Sequence, residues 1–170
     1  MSPKRPVVLL TGFGPFPGVV DNASARLIER LAPAARRTFA GYRIESAVLP
    51  AEWDAGPERA KSLLAAFQPA VVIHFGVSAR ARGFVVEARG QNTVCAVPDA
   101  AGNVAATGCL SASAPDTLFS TLPVARAIAR LRRRGFPAYL SRDAGRYLCN
   151  AVLFLTLDAA RHIRSRARHG

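Results

Sequence analysis

The stretch "PVVLLTGFGPFPGVVDNASARLIERLA" (6–32) holds the first strand, the first loop and the first helix of the chain. "PVVLLT" (6–11) is a continuous apolar run ended by Gly12, the pattern of a strand buried on both faces. "GFGPFPG" (12–18) is a Gly/Pro loop. Asp21 and Asn22 are capping residues, and Leu27, Ile28 and Leu31 share one helical face. The same alternation recurs along the chain. "YRIESAVLP" (42–50) predicts a strand, and "PERAKSLLAAFQ" (57–68) a helix with proline in its first turn. "AVVIHFG" (70–76) predicts a buried strand, and "GFVVEARGQN" (83–92) one further strand carrying Glu87. Residues 95–119 are rich in Ala, Gly, Ser and Pro and read as loop with a short strand. "PVARAIARLRRRG" (123–135) predicts a helix with a Val124, Ile128, Leu131 stripe, "FPAYLS" (136–141) a strand, and 149–163 a helix. Strands alternating with helices across short connections predict an α/β fold: a three-layer α/β/α sandwich with a mostly parallel central sheet.

The chain has 170 residues, half of them apolar. That is enough for one domain, 1–170, with a sizeable core and a basic tail at 161–170. No run reaches the roughly 18 apolar residues of a membrane span, and the N-terminus reads as a strand, not a signal peptide. Cys95, Cys109 and Cys149 form no CxxC pair, and three histidines are the only further soft ligands. This argues against a disulfide framework and against a zinc site, and fits a reducing cytoplasm. The net charge of +12 raises nucleic acid as a partner. However, four arginines lie in the last ten residues without an aromatic neighbour to stack a base. Arg132, Arg133 and Arg134 stand before Gly135, where cations complement a helix C-terminus. Solvated helix ends and a tail account for the charge, so nucleic acid is not the expected partner.

Three features could carry chemistry. "GFGPFPG" lacks the GxGxxG and GK[ST] patterns of phosphate loops, and Phe13 and Phe16 suit an apolar pocket or a plain turn. Glu87, between Val86 and Ala88, either faces water or orients a histidine. Cys149, just before an apolar helix, is either a buried small hydrophobe or a nucleophile whose pKa the helix N-terminus lowers. Cys95 and Cys109 read as small apolar residues without a role.

Taken in order, "TGFGPFPG" with "NAS", "IHFGVSARARGFVVEARGQN" and "LSRDAGRYLCN" closely resemble the pyroglutamyl-peptidase I family of cysteine peptidases, from Val7 to the helix after Cys149. The resemblance implies removal of N-terminal pyroglutamyl residues from peptides through a Cys-His-Glu triad and a thioester, without metal or organic cofactor, by a homo-oligomer. It assigns Cys149 as nucleophile and Glu87 as the acid that orients the histidine. Phe13, Phe16, Tyr147 and Leu148 become the lining of a pocket for the flat lactam ring. In the family the base lies on an apolar strand after the cysteine helix, followed by a terminal helix. Here "DAARHIRSRARHG" (158–170) follows Leu157 instead. His162 comes too early, His74 lies on an earlier strand, and His169 has the right distance along the chain but an Arg-His-Gly setting. "CAVPD" (95–99) also lacks an arginine that some members carry before the Pro-Asp. The expectation is therefore a peptidase with Cys149, Glu87 and His169. The alternative is an impaired homologue that only binds pyroglutamyl peptides. Without the strand, a sheet edge and part of "AVLFLTL" (151–157) are expected to be uncovered, favouring association.

Overall fold

The computed structural model describes residues 4–106 and 108–167, with side-chain surroundings as far as residue 163. The chain gathers into two compact units, Met1–Val77 with Pro98–Val104, and Ser78–Val97 with Ala105–Gly170. The fold is α/β with mostly parallel strand pairing, as the alternation predicts.

In the first unit, β1 (Val7–Phe13) lies between β2 (Arg43–Leu49) and β3 (Val71–His74), and both neighbours run parallel to it. The helices are α1 (Ala23–Thr38) and α2 (Ala55–Phe67). Leu10, Ile28, Ala32, Ala35 and Ile44 form one buried cluster. Of the two expected caps, Asn22 does the capping: its side chain accepts from the Ser24 N–H at 3.0 Å. Its amide also donates to the Gly14 carbonyl at 2.9 Å, and Ser24 Oγ accepts from the Phe13 N–H at 3.0 Å. These bonds pull β1 so close to α1 that a Cβ on Gly12 would lie 2.6 Å from the Ser24 carbonyl oxygen. The helix passes through Pro33, beyond the stretch predicted from local sequence. Proline removes one helical hydrogen bond, yet the helix continues past it, and Ala35 beyond it joins the buried cluster.

Asp99 closes this unit. Its buried carboxylate accepts from the Trp53 N–H at 2.8 Å and from the Ala101 and Asn103 N–H groups at 2.9 and 2.8 Å. Burial pushes the carboxyl up, and the backbone donors of Trp53, Asn103, Ala101 and Gly102 outweigh it, holding it below the usual range. Thr11, fully buried, places its Oγ1 2.6 Å from His74 Nδ1. Desolvation lowers His74 from 6.5 to about 4.

The second unit contains β4 (Phe84–Glu87), β5 (Arg89–Gln91), β6 (Thr117–Phe119), α3 (Val124–Arg133), β7 (Ala138–Ser141) and α4 (Leu148–Ala167). β4 pairs parallel with β7, and β5 antiparallel with β6. The single strand predicted over 83–92 is thus two. At Ala88 the chain changes partner: its N–H donates to the Ser141 carbonyl, and its own carbonyl accepts from the Ser120 N–H, both at 2.8 Å. Arg132, in the last turn of α3, donates from Nε to the Ala138 carbonyl of β7 at 2.7 Å. Residues 161–167, expected in a basic tail, continue α4. In the "AVLFLTL" segment Ala151, Val152, Phe154 and Thr156 are buried, and Leu153, Leu155 and Leu157 are half-buried. Among the described residues of α4, the large apolar side chain left exposed is Ile163, at 67%.

Two outcomes follow. Because folded His74 resists protonation, stability is full above pH 6.5. It falls as the unfolded chain alone takes up the proton, by about 3 kcal/mol, and levels near pH 4. Urea unfolding at pH 7, 5.5 and 4.5 should show that decline, and His74→Asn should flatten it. The second outcome concerns Asn150, fully buried at the start of α4. Its Oδ1 accepts from the Gln91 N–H at 2.8 Å, and its Nδ2 donates to the Gln91 and Thr93 carbonyls at 2.8 and 3.1 Å. Asn150→Ala leaves these groups unpaired and should cost about 2–4 kcal/mol in the same measurement. A loss below about 0.5 kcal/mol would remove the clamp from the account of this unit.

Candidate active site

Parallel β4 and β7 end side by side, with Glu87 in register with Ser141. The carboxyl ends of parallel strands are where open α/β sheets place ligands. The turn that follows β7 is ordered by its own side chains. The Asp143 N–H donates to Ser141 Oγ at 3.0 Å, and the Gly145 N–H to Asp143 Oδ1 at 3.0 Å. Gly145 has φ +74°, a conformation that glycine adopts without steric cost. The Cys95 N–H donates to the Arg146 carbonyl at 3.0 Å, and Arg89 Nε to the Arg142 carbonyl. The first bond of α4 runs from the Ala151 N–H to the Tyr147 carbonyl at 3.1 Å. Cys149 is therefore the second helical residue. Asn150 bolts this turn to β5, and Gly90 lets the two approach: a Cβ there would meet Phe154 Cα at 2.9 Å.

Glu87 and Cys149 come together electrically. Burial raises the Glu87 carboxyl, a hydrogen bond from the Ser141 side chain lowers it, and the Asp143 charge raises it again; the net direction is up. Its Oε2 is buried and has no partner among the described residues. The Cys149 thiol is pushed up to about 11, first by burial and then by the Glu87 charge. Its own backbone N–H pulls the other way. The helix start was expected to lower this thiol, and the structure corrects that. A helix terminus supplies about 0.3–1 kcal/mol, under one pKa unit, whereas burial can shift a group by several units.

Tyr147 is half-buried at the helix entrance, and Leu148 is buried at 1% exposure. Phe13 and Phe16 belong to the first unit. Phe13 is buried at the end of β1, and Phe16 exchanges backbone hydrogen bonds with Val19 at 3.1 and 2.8 Å. His169 lies outside the described residues. His162 is exposed beside Asp158, 3.6 Å from Oδ1. Thirteen residues of helix place it about 20 Å along the axis from Cys149, out of reach of the thiol. His74 is engaged with Thr11 in the first unit. Asn150, Ser141, Asp143 and Gly90 carry the site's geometry without having been singled out as single residues. Asn150 had a signal: it is the one polar side chain between Cys149 and Thr156. Among the described residues no group of three His, Cys, Asp or Glu could hold a metal ion, and all three cysteines are free. No helix there is long and apolar enough to cross a membrane.

The sequence model of the pyroglutamyl peptidase family matches residues 6–170. The chain is 32% identical over 151 residues to a pyrrolidone-carboxylate peptidase of Pyrococcus furiosus, covering 88% of this chain and 71% of that one. It is 36% identical over 148 residues to one of Chromobacterium violaceum, covering 86% and 69%. Among solved structures, a mutant pyrrolidone carboxyl peptidase of Pyrococcus furiosus superposes with a TM-score of 0.86 at 30% identity, over 92% of this chain and 74% of the other. Pyroglutamyl peptidase I of Bacillus amyloliquefaciens gives 0.83 at 28% identity, over 92% and 76%. The match spans β1, the Glu87–Ser141 pair and the Cys149 helix alike, and this chain belongs to the pyroglutamyl peptidase family.

Proposed function

We propose that this chain is a cysteine peptidase that removes N-terminal pyroglutamyl residues from peptides. The observation that carries the reading is a buried Glu87 oxygen without a partner among the described residues, on a carboxyl whose charge reaches the Cys149 thiol. A buried acceptor left bare calls for a partner. A carboxylate beside a thiol works against the thiolate and in favour of an imidazolium between them. An imidazole there accepts the thiol proton and donates its other N–H to Glu87. His169 is proposed as that base, on its distance along the chain. Cys149 Sγ then attacks the pyroglutamyl carbonyl, the peptide amine leaves with the proton, and water hydrolyses the thioester. Half-buried Tyr147 adjoins the nucleophile and offers the lactam ring apolar surface, whereas the contact of buried Leu148 rests on its place in the motif. The lactam contact of Phe13 and Phe16 rests on their motif alone. The proposal treats 1–170 as one functional domain. It includes a cytoplasmic setting and self-association, supported by exposed apolar residues such as Phe119 at 64% and Ile163 at 67%.

A second reading has its own support. A thiol at about 11 is ionised in roughly one molecule in ten thousand at pH 7, His162 is out of its reach along α4, and His74 is engaged with Thr11. On this reading the chain binds pyroglutamyl peptides and turns them over poorly.

Release of a chromophore from a pyroglutamyl-linked substrate separates the two. The peptidase reading expects turnover that Cys149→Ser abolishes, that His169→Ala reduces by about 10³-fold or more, and that Glu87→Gln reduces by about 10²–10⁴-fold. Calorimetric binding without turnover selects the second reading, and neither binding nor turnover defeats both. Iodoacetamide labelling of Cys149, followed by peptide mass mapping, tests the electrostatics. The rate should climb with pH toward about 11, and Glu87→Gln should move the midpoint down. A plateau near pH 8 in the unaltered protein would mark an imidazole paired with the thiol and speak against the second reading.

A further inference from the structure

Glu87 could turn its carboxyl in several ways, and the neighbouring strand selects one. Ser141 stands in register with Glu87 across the parallel β4–β7 pair, and its side chain hydrogen-bonds the carboxyl. The hydroxyl is itself held. Oγ accepts from the Asp143 N–H at 3.0 Å and lies 3.2 Å from the Asp143 carbonyl oxygen. The turn is closed by the Gly145 N–H on Asp143 Oδ1 at 3.0 Å. One hydroxyl proton therefore has two acceptors, the Glu87 carboxylate and the Asp143 carbonyl. A hydrogen bond to an ionised acceptor is roughly twice as strong as a neutral one, so with Glu87 ionised the proton points to Glu87. With Glu87 protonated, the carboxyl donates to Oγ and the hydroxyl turns to the Asp143 carbonyl. Oε2 is buried without a partner among the described residues, so the oxygen that Ser141 engages is the other one.

We propose that Ser141 is a positioning residue of this site. Its hydroxyl, held by the Asp143 turn, engages one Glu87 oxygen so that the other stays presented to the base that serves Cys149. The inference rests on the peptidase reading for its purpose, not for its geometry. Asp143 is the charged group acting on Glu87, and Cys149 on α4 is the titratable group that Glu87 acts on. Asp143 thus does two opposed things: its backbone fixes Ser141, and its carboxylate disfavours the Glu87 charge.

The test is the titration of the Glu87 carboxyl, followed by ¹³C NMR and assigned by its absence in Glu87→Gln. Ser141→Ala should raise the Glu87 midpoint by about one unit, the worth of one hydrogen bond to a charged group. Ser141→Thr, which keeps the hydroxyl and suits a strand, should restore it. Asp143→Asn should move it the opposite way, and this exposed substitution keeps the test decisive if Ser141→Ala does not fold. A Ser141 with a merely structural part in the turn would lower stability in Ser141→Ala and leave the Glu87 midpoint in place, and that result overturns the proposal. An unmoved midpoint in Asp143→Asn would likewise overturn the opposed pair. In the pyroglutamyl assay, Ser141→Ala should lower kcat about tenfold with KM unchanged. Absence of turnover in the unaltered protein defeats the peptidase reading, whereas the NMR midpoint still decides for or against Ser141.

Discussion

The buried side-chain amide of Asn150 does for the start of α4 what a neighbouring strand does within a sheet. It offers β5 one acceptor and two donor contacts, at Gln91 and Thr93, in the geometry of a backbone partner. With that clamp closed, the helix has one place to begin, and Cys149, one residue earlier, inherits its position. Gly90 is the complementary condition, because any side chain there would push α4 away from β5. The cysteine is thus placed by a polar contact and a missing side chain. The apolar residues behind it, Val152 and Phe154, supply burial without choosing the register.

Burial of that turn has an electrostatic cost which gives the site its character. The thiol is desolvated and faces a carboxylate, and both effects oppose its ionisation more strongly than a helix terminus favours it. In isolation such a cysteine is inert. With an imidazole between thiol and acid, the same charge stabilises an ion pair and the same desolvation strengthens it. Glu87 is itself kept only partly willing to ionise, raised by burial and Asp143 and restrained by Ser141. The arrangement favours transfer of a proton over storage of a thiolate.

Much of the fold was legible from local pattern. The apolar run at 7–11, the Asn22 cap and the proline at the start of α3 each express a short-range preference that the packed chain also satisfies. Elsewhere local pattern and packed chain differ, for physical reasons. α1 continues past Pro33 and buries Ala35 in the core, a tertiary packing that no helix propensity reports. Residues 83–92 are two strands because Ala88 bonds to two different partners, and a partner is a long-range fact. Within "AVLFLTL", Ala151, Val152, Phe154 and Thr156 are buried where β5 and β6 pack on α4, which its own periodicity does not disclose.

The site divides along the same line. Residue order was enough to single out Cys149 and Glu87, since a cysteine at a helix start and an acid in an apolar strand are conspicuous beside "DAGRYLCN" and "GFVVEARG". Order was also enough to indicate the α/β class, because strand and helix periods are local. The direction of the thiol's pKa, the bare oxygen on Glu87 and the service of Ser141 and Asn150 arise only when distant segments meet. Desolvation and hydrogen-bond partnership are properties of the surroundings of a side chain, and those surroundings, at separations of 54 residues between Glu87 and Ser141 and 59 between Gln91 and Asn150, are assembled by packing.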